Sequence, residues 1–109
     1  VNIDREPQKA GVWPEEAEAL ARECAGLPGL RLRGLMCIPQ IGSASHDPAD
    51  SYLEMNELYV RLLAKGLELD TLSMGMSADL EAAIANGSTM VRIGTDLMGP
   101  RPAAENTAC

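Results

Sequence analysis

Apolar runs with strand character alternate with helical patterns along this chain, and that order predicts an α/β fold on a parallel sheet. Three observations carry the prediction. The runs at residues 30–38, 69–76 and 90–95 are short and rich in Leu, Ile, Val and Met, as strands covered on both faces are. Between them, apolar residues recur at helical spacing. A Gly or Pro-Gly stop follows each helical pattern, at Pro28-Gly29, Gly66 and Gly87.

Taken in order, residues 1–4 read as the end of a strand and residues 5–12 as a polar loop. Trp13-Pro14-Glu15-Glu16 opens the first helix, because proline suits the first helical turn and the acidic pair suits its positive end. Leu20, Ala21, Cys24 and Leu27 follow at helical spacing. Residues 30–38 form the next strand and residues 39–47 a loop. Asp47-Pro48-Ala49-Asp50 starts a helix running to about Lys65, with Tyr52, Met55, Leu58, Tyr59, Leu62 and Leu63 on one face. Strand 69–76, helix 78–86 and strand 90–95 complete the series.

The count is βαβαβαβ. A full (β/α)8 barrel takes about 250 residues, and the 109 here supply roughly half. The chain also begins inside a strand. Residues 1–101 are therefore expected to form the C-terminal half of a TIM-type (β/α)8 barrel, and residues 102–109 a disordered tail, being short, polar and Ala-rich.

Composition narrows the function classes. Hydrophobic residues make up 46% of the chain but aromatics only 3%, with no Phe, so the core must rest on Leu, Ile, Val, Met and Ala. The net charge of −7 argues against non-specific nucleic-acid binding and against anionic membrane surfaces, which call for clustered Lys and Arg. No apolar stretch is long enough to span a bilayer, and no signal peptide is visible. Cys24, Cys37 and Cys109 are odd in number and lack a C-x-x-C pair, which points to buried or terminal free thiols and a cytoplasmic location.

Two turns carry the candidate chemistry. Ligands of parallel α/β proteins sit at the C-terminal ends of the strands, where this chain places Ser77 and Gly94-Thr95. Small residues there let backbone N–H groups approach an anion, and the two hydroxyls add donors. By itself Ser77 reads first as a helix N-cap, its hydroxyl accepting a backbone N–H, and only second as a ligand donor. Arg92 lies between Val91 and Ile93 in an apolar strand, so its guanidinium needs an anionic or acceptor partner. Strand alternation puts it on the same face as Gly94.

Other candidates carry less. Arg31 and Arg33 alternate with leucines and mark a solvated face, while Met36, Met74 and Met76 read as core filler. His46 sits in a loop without a metal-ligand pattern and reads as solvent-exposed. No nucleophile elbow, HExxH or Walker pattern occurs.

Two long motifs permit a family comparison. The first is Leu72-Ser73-Met74-Gly75-Met76-Ser77-Ala78-Asp79-Leu80-Glu81-Ala82-Ala83-Ile84, and the second is Gly87-Ser88-Thr89-Met90-Val91-Arg92-Ile93-Gly94-Thr95. Together they resemble the signature of the pyridoxal phosphate homeostasis proteins, YggS-like relatives of the alanine racemase N-terminal barrel. Val1-Asn2-Ile3-Asp4, Lys9-Ala10-Gly11 and Leu32-Arg33-Gly34-Leu35-Met36 fit the same family in the same order, so the resemblance spans residues 1–101.

The resemblance implies a protein that binds pyridoxal 5′-phosphate (PLP), buffers or delivers it, and has no established turnover. Carried over by residue, Ser77 and Gly94-Thr95 would hold the phosphate, Arg92 would face the pyridine nitrogen, and Ser73 and Met76 would line the pocket. An arginine at that nitrogen disfavours its protonation, which suits storage better than carbanion chemistry. The family's Schiff-base lysine belongs to the other half-barrel; the lysines here, Lys9 and Lys65, do not match its position. Met98 replaces an aromatic residue and Asp96 a small one beside the cradle. Two other classes stay open. One is a fragment of a PLP-dependent amino-acid racemase relative, which would need a lysine and a tyrosine base, although Tyr52 and Tyr59 fall mid-helix. The other is a half-barrel interaction module that self-associates through its open edges.

Overall fold

The computed structural model describes residues 1–42 and 44–102. Their centre is a parallel sheet of three strands, β1 (Gly34–Met36), β2 (Thr71–Met76) and β3 (Met90–Arg92), in the order β1-β2-β3. A 3-10 turn at Pro14–Glu16 leads into α1 (Ala17–Ala25); α2 (Pro48–Ala64) joins β1 to β2, α3 (Leu80–Ala85) joins β2 to β3, and α4 (Thr95–Met98) follows β3. This is the expected parallel α/β fold, a partial barrel. The expected tail lies almost wholly outside the described residues.

The strands are shorter than their apolar runs, and the hydrogen bonds show why. At the start of β1 the Arg33 carbonyl accepts from both Asp70 and Thr71, at 2.8 and 2.9 Å, and Cys37 N–H reaches Ser73 O at 3.2 Å beyond its end. Among the described residues, residues 30–32 have no such backbone partners, so their apolar character does not extend the ladder. The strand expected over 90–95 ends at Arg92, because the Gly94 carbonyl accepts from Leu97 and Met98, at 3.1 and 2.7 Å, and starts α4. Gly94 therefore leaves the strand alternation that was to place it on Arg92's face.

Residues 1–4 do not form the expected strand. The Val1 amine donates to Met36 O at 2.8 Å, but Asn2 N–H turns to Val12 O at 2.8 Å and Arg5 adopts φ 53°, so the backbone engages the 5–12 loop instead of a ladder with β1. Ile3 is still buried in the core.

The core lies between the sheet and α2. Leu72 and Met74 of β2 meet Tyr52, Met55, Leu58 and Leu62 of α2, and all six are at most 2% exposed. Such side chains contribute about 1.5–3 kcal/mol each on burial. The α2 N-terminus is capped as its sequence predicts, Asp47 Oδ1 accepting from Ala49 N–H at 3.0 Å with Pro48 at the first position. Leu63, expected on the buried face, is 39% exposed. In α1 the small residues Ala17 and Ala21 are the buried ones, while Leu20 stays exposed on the same helix and Leu27 lies exposed beyond it.

Gly75 breaks the regularity of β2. Its φ of +105° is a left-handed conformation, and a Cβ there would lie 2.6 Å from the Cβ of Ala83. The β2–β3 register shifts at this point, between the pairs Ser73↔Met90 and Met76↔Arg92. This irregularity lets α3 close on the strand and turns the end of β2 toward the loops that hold the candidate residues.

Candidate functional site

Arg92 reaches across the sheet. Its Nη1 donates to Ser73 Oγ on β2 at 2.5 Å, and its Nη2 to the Cys37 carbonyl just beyond β1 at 2.9 Å. The guanidinium is thus fixed by two neutral oxygens, and among the described residues it makes no ion pair with a carboxylate. A half-buried cation held this way keeps its charge available for an anion or a lone pair.

The second group lies beyond the strand ends. Ser77 Oγ accepts the backbone N–H of Asp96 at 3.1 Å and so ties the turn after β2 to the turn after β3. Met76, Ser77, Gly94 and Thr95 line one cavity of about 470 Å³, with Ile41 and Met98 also at its wall. A Cβ on Gly94 would meet no atom within 4 Å, so the backbone there is open to a ligand. Ser73 and Arg92 do not line this cavity, although Arg92 pairs in register with Met76, which does. The Asp96 side chain is exposed, and the aspartate lies outside the cavity wall.

The helix-cap reading of Ser77 does not hold, because Asp79 is the N-cap of α3 and Ser77 spends its oxygen on Asp96. Asp79 Oδ1 accepts Met76 N–H at 3.0 Å, and Asp79 Oδ2 accepts the Tyr52 hydroxyl at 2.7 Å. Sequence reasoning missed this pair. The one available signal was an aspartate just past the strand end, a residue type whose side chain bonds nearby backbone in turns; nothing in the sequence pointed to its partner on α2.

Several other expectations change. Met74 is fully buried, but Met36 and Met76 are exposed because they end their strands, where no layer covers them. His46 is not solvent-exposed: its Nε2 lies 2.9 Å from Ser51 Oγ and 3.3 Å from Asp4 Oδ2, and Ser51 Oγ also donates to Asp4 Oδ1 at 2.6 Å. Arg33 is exposed as expected and forms a two-pronged pair with Asp70, at 2.9 and 2.8 Å, which holds that carboxyl down to about 2. Cys24 and Cys37 are free; burial pushes the Cys37 thiol up to about 12. Cys109 lies outside the described residues. Lys9 Nζ is taken by Ile38 O at 2.9 Å and Glu6 Oε2 at 2.6 Å, and Lys65 Nζ by Glu18 at 3.2 Å. Neither lysine lines the Ser77 cavity. Among the described residues no cluster of His, Cys, Asp or Glu is placed to hold a metal ion, and no helix is long and apolar enough to cross a membrane.

A parallel three-stranded sheet joined by helices, with small residues and an arginine at its strand ends, defines a partial α/β barrel. Residues 1–102 match the model of the alanine racemase, N-terminal domain family, and the chain belongs to that family. It is 50% identical over 101 residues to the pyridoxal phosphate homeostasis protein of Pseudomonas aeruginosa, which covers 93% of this chain and 43% of the relative. The protein of the same name from Escherichia coli K12 is 46% identical over the same shares. Among solved structures, PipY of Synechococcus elongatus PCC7942 is similar with a TM-score of 0.75 and 34% identity without PLP, covering 86% of this chain and 45% of PipY. With PLP bound, PipY gives 0.72 and 30%, covering 87% and 46%. The chain thus spans less than half the length of these relatives.

Proposed function

We propose that this chain forms the phosphate-holding end of a PLP site and serves PLP homeostasis without turnover of its own. The observation that carries the reading is the cavity on which Met76, Ser77, Gly94 and Thr95 converge beside the tethered guanidinium of Arg92. The relatives named for pyridoxal phosphate homeostasis and the PLP-bound PipY support the choice of ligand.

The residues present fit the group. Ser77 and Thr95 offer hydroxyls, the open Gly94 backbone admits close approach, and Met76 gives an apolar wall. PLP, when bound, supplies a phosphate, a pyridine nitrogen and a reactive aldehyde. Ser77 and Gly94-Thr95 would hold the phosphate, Ser73 orients Arg92, and Arg92 would face the pyridine nitrogen and disfavour its protonation, because two adjacent positive charges would repel. Lys9 and Lys65 are engaged elsewhere, so this part of the chain holds the ligand without a covalent link.

We further assign residues 1–101 to the C-terminal half of the barrel and place the protein in the cytoplasm, a reading supported by the free thiols Cys24 and Cys37. The outer strands β1 and β3 each have one neighbour in the sheet, and in the chain by itself we assign their open edges to pairing with a second copy. The test of the site is titration with PLP followed by absorbance. Binding that weakens in Arg92→Ala and Thr95→Val supports the reading; affinity unchanged in both overturns it.

A further inference from the structure

Tyr52 is a fully buried residue of α2 whose ring Phe could replace in volume. A hydroxyl in that position is costly unless it is bonded, and this one donates to Asp79 Oδ2 at 2.7 Å. Burial, followed by that bond to the carboxylate, raises the hydroxyl's pKa above its ordinary value, so it remains a donor at any physiological pH. The other carboxylate oxygen accepts Met76 N–H at 3.0 Å, while Asp79 N–H returns to Met76 O at 3.1 Å. Residues 76–79 are therefore closed into a ring by two reciprocal bonds, and the ring is anchored to the core through one phenol. Ser77 and Ala78, which line the cavity, are the two residues inside that ring.

Resting on the site proposed above, we propose that Tyr52 is a positioning residue for the ligand's phosphate: through Asp79 it fixes the turn that presents Ser77. The hydroxyl also keeps the Asp79 carboxylate committed to the turn, since each of its oxygens has a donor. A carboxylate released from Tyr52 could rotate toward the cavity, where its negative charge would oppose a phosphate monoester. Ser77 itself would lose its alignment with the Asp96 amide, and the two turns would separate.

The experiment is calorimetric titration of the protein with PLP, pyridoxal and inorganic phosphate, for wild type, Tyr52→Phe, Asp79→Ala, the double variant and Ser77→Ala, with amide hydrogen exchange measured on each. Tyr52→Phe is expected to weaken PLP and inorganic phosphate on the order of tenfold, leave pyridoxal within twofold, and speed exchange at Met76 but not in α1. Asp79→Ala should give the same selective loss, and Tyr52→Phe should add nothing in its background. Unchanged PLP affinity in Tyr52→Phe, equal losses for PLP and pyridoxal, or additive effects in the double variant would overturn the inference. If wild type binds PLP no better than pyridoxal, the site reading falls and takes this inference with it. If wild type prefers PLP and Ser77→Ala abolishes that preference while Tyr52→Phe does not, only the role of Tyr52 falls.

Discussion

Ser77 and Asp96 stand on different turns, yet the Ser77 hydroxyl oxygen accepts the Asp96 backbone N–H at 3.1 Å. This bond makes one cavity wall from two loops that are remote in sequence. It also fixes the orientation of the serine, whose own proton is left free to donate outward.

Ser77→Ala should therefore affect ligand and loop together. On the proposed site the variant would lose a donor to the phosphate and free the Asp96 amide, so PLP affinity should fall by about 1.5–3 kcal/mol, the range for a hydrogen bond to a charged group. Calorimetry against PLP checks the affinity, and faster hydrogen exchange at Asp96 checks the loop.

Arg92→Ala removes the donor for Ser73 Oγ and for the Cys37 carbonyl at once. Leaving such groups unpaired costs about 1–3 kcal/mol each when they are buried. Chemical denaturation should show a lower midpoint without ligand, and PLP should restore less stability than it does in wild type. Arg92→Lys should recover little, because a single ammonium cannot span both acceptors as the guanidinium does.

Gly75→Ala should destabilise the fold more than any cavity variant. The new Cβ meets Ala83 at 2.6 Å and must also adopt φ +105°. Together, strain and overpacking should cost about 2–4 kcal/mol. Thermal unfolding measures it, and a Tm equal to wild type would mean that the β2 irregularity relaxes freely.

Cys37 supplies a pH prediction. Its thiol, ordinarily at 9.0, is pushed to about 12 by burial, so the folded state holds its proton where the unfolded state has lost it. The stability contributed is fully present below pH 9 and is lost as pH rises toward 12. Denaturation midpoints should decline over that window, and less so in Cys37→Ala. At neutral pH a thiol reagent should leave Cys37 unmodified until the protein unfolds, as mass spectrometry of the peptide would show.

The order of strands and helices was legible because apolar runs and glycine stops are local signals. Residues 69–76 and Asp47-Pro48 carry their structure in their own composition. The ends were less legible. Residues 90–95 look uniform in sequence, but Gly94 turns its carbonyl to Leu97 and Met98 and starts a helix at Thr95. The first four residues look like a strand until Asn2 spends its amide on Val12. In the candidate site, turn chemistry and resemblance named Met76, Ser77, Gly94 and Thr95, which line the cavity, and Ser73 and Arg92, which do not. Sequence reasoning could not see that Tyr52, read as one more apolar contact of α2, carries its side-chain hydroxyl to Asp79. Such a pairing across 27 positions has no periodicity to betray it.

The tether from Arg92 to Cys37 crosses 55 positions of sequence and all three strands. It forms only when β1, β2 and β3 are in register, since a slip of one residue would offer Arg92 the apolar Leu72 or Met74 where Ser73 now stands. On the site proposed above, ligand affinity would be a measure of strand alignment. A chain that folds into a shifted sheet would still be compact, but it would be blind to the anion. Such binding would add its free energy to the aligned state alone, so ligand present during folding would select the correct sheet from its near neighbours.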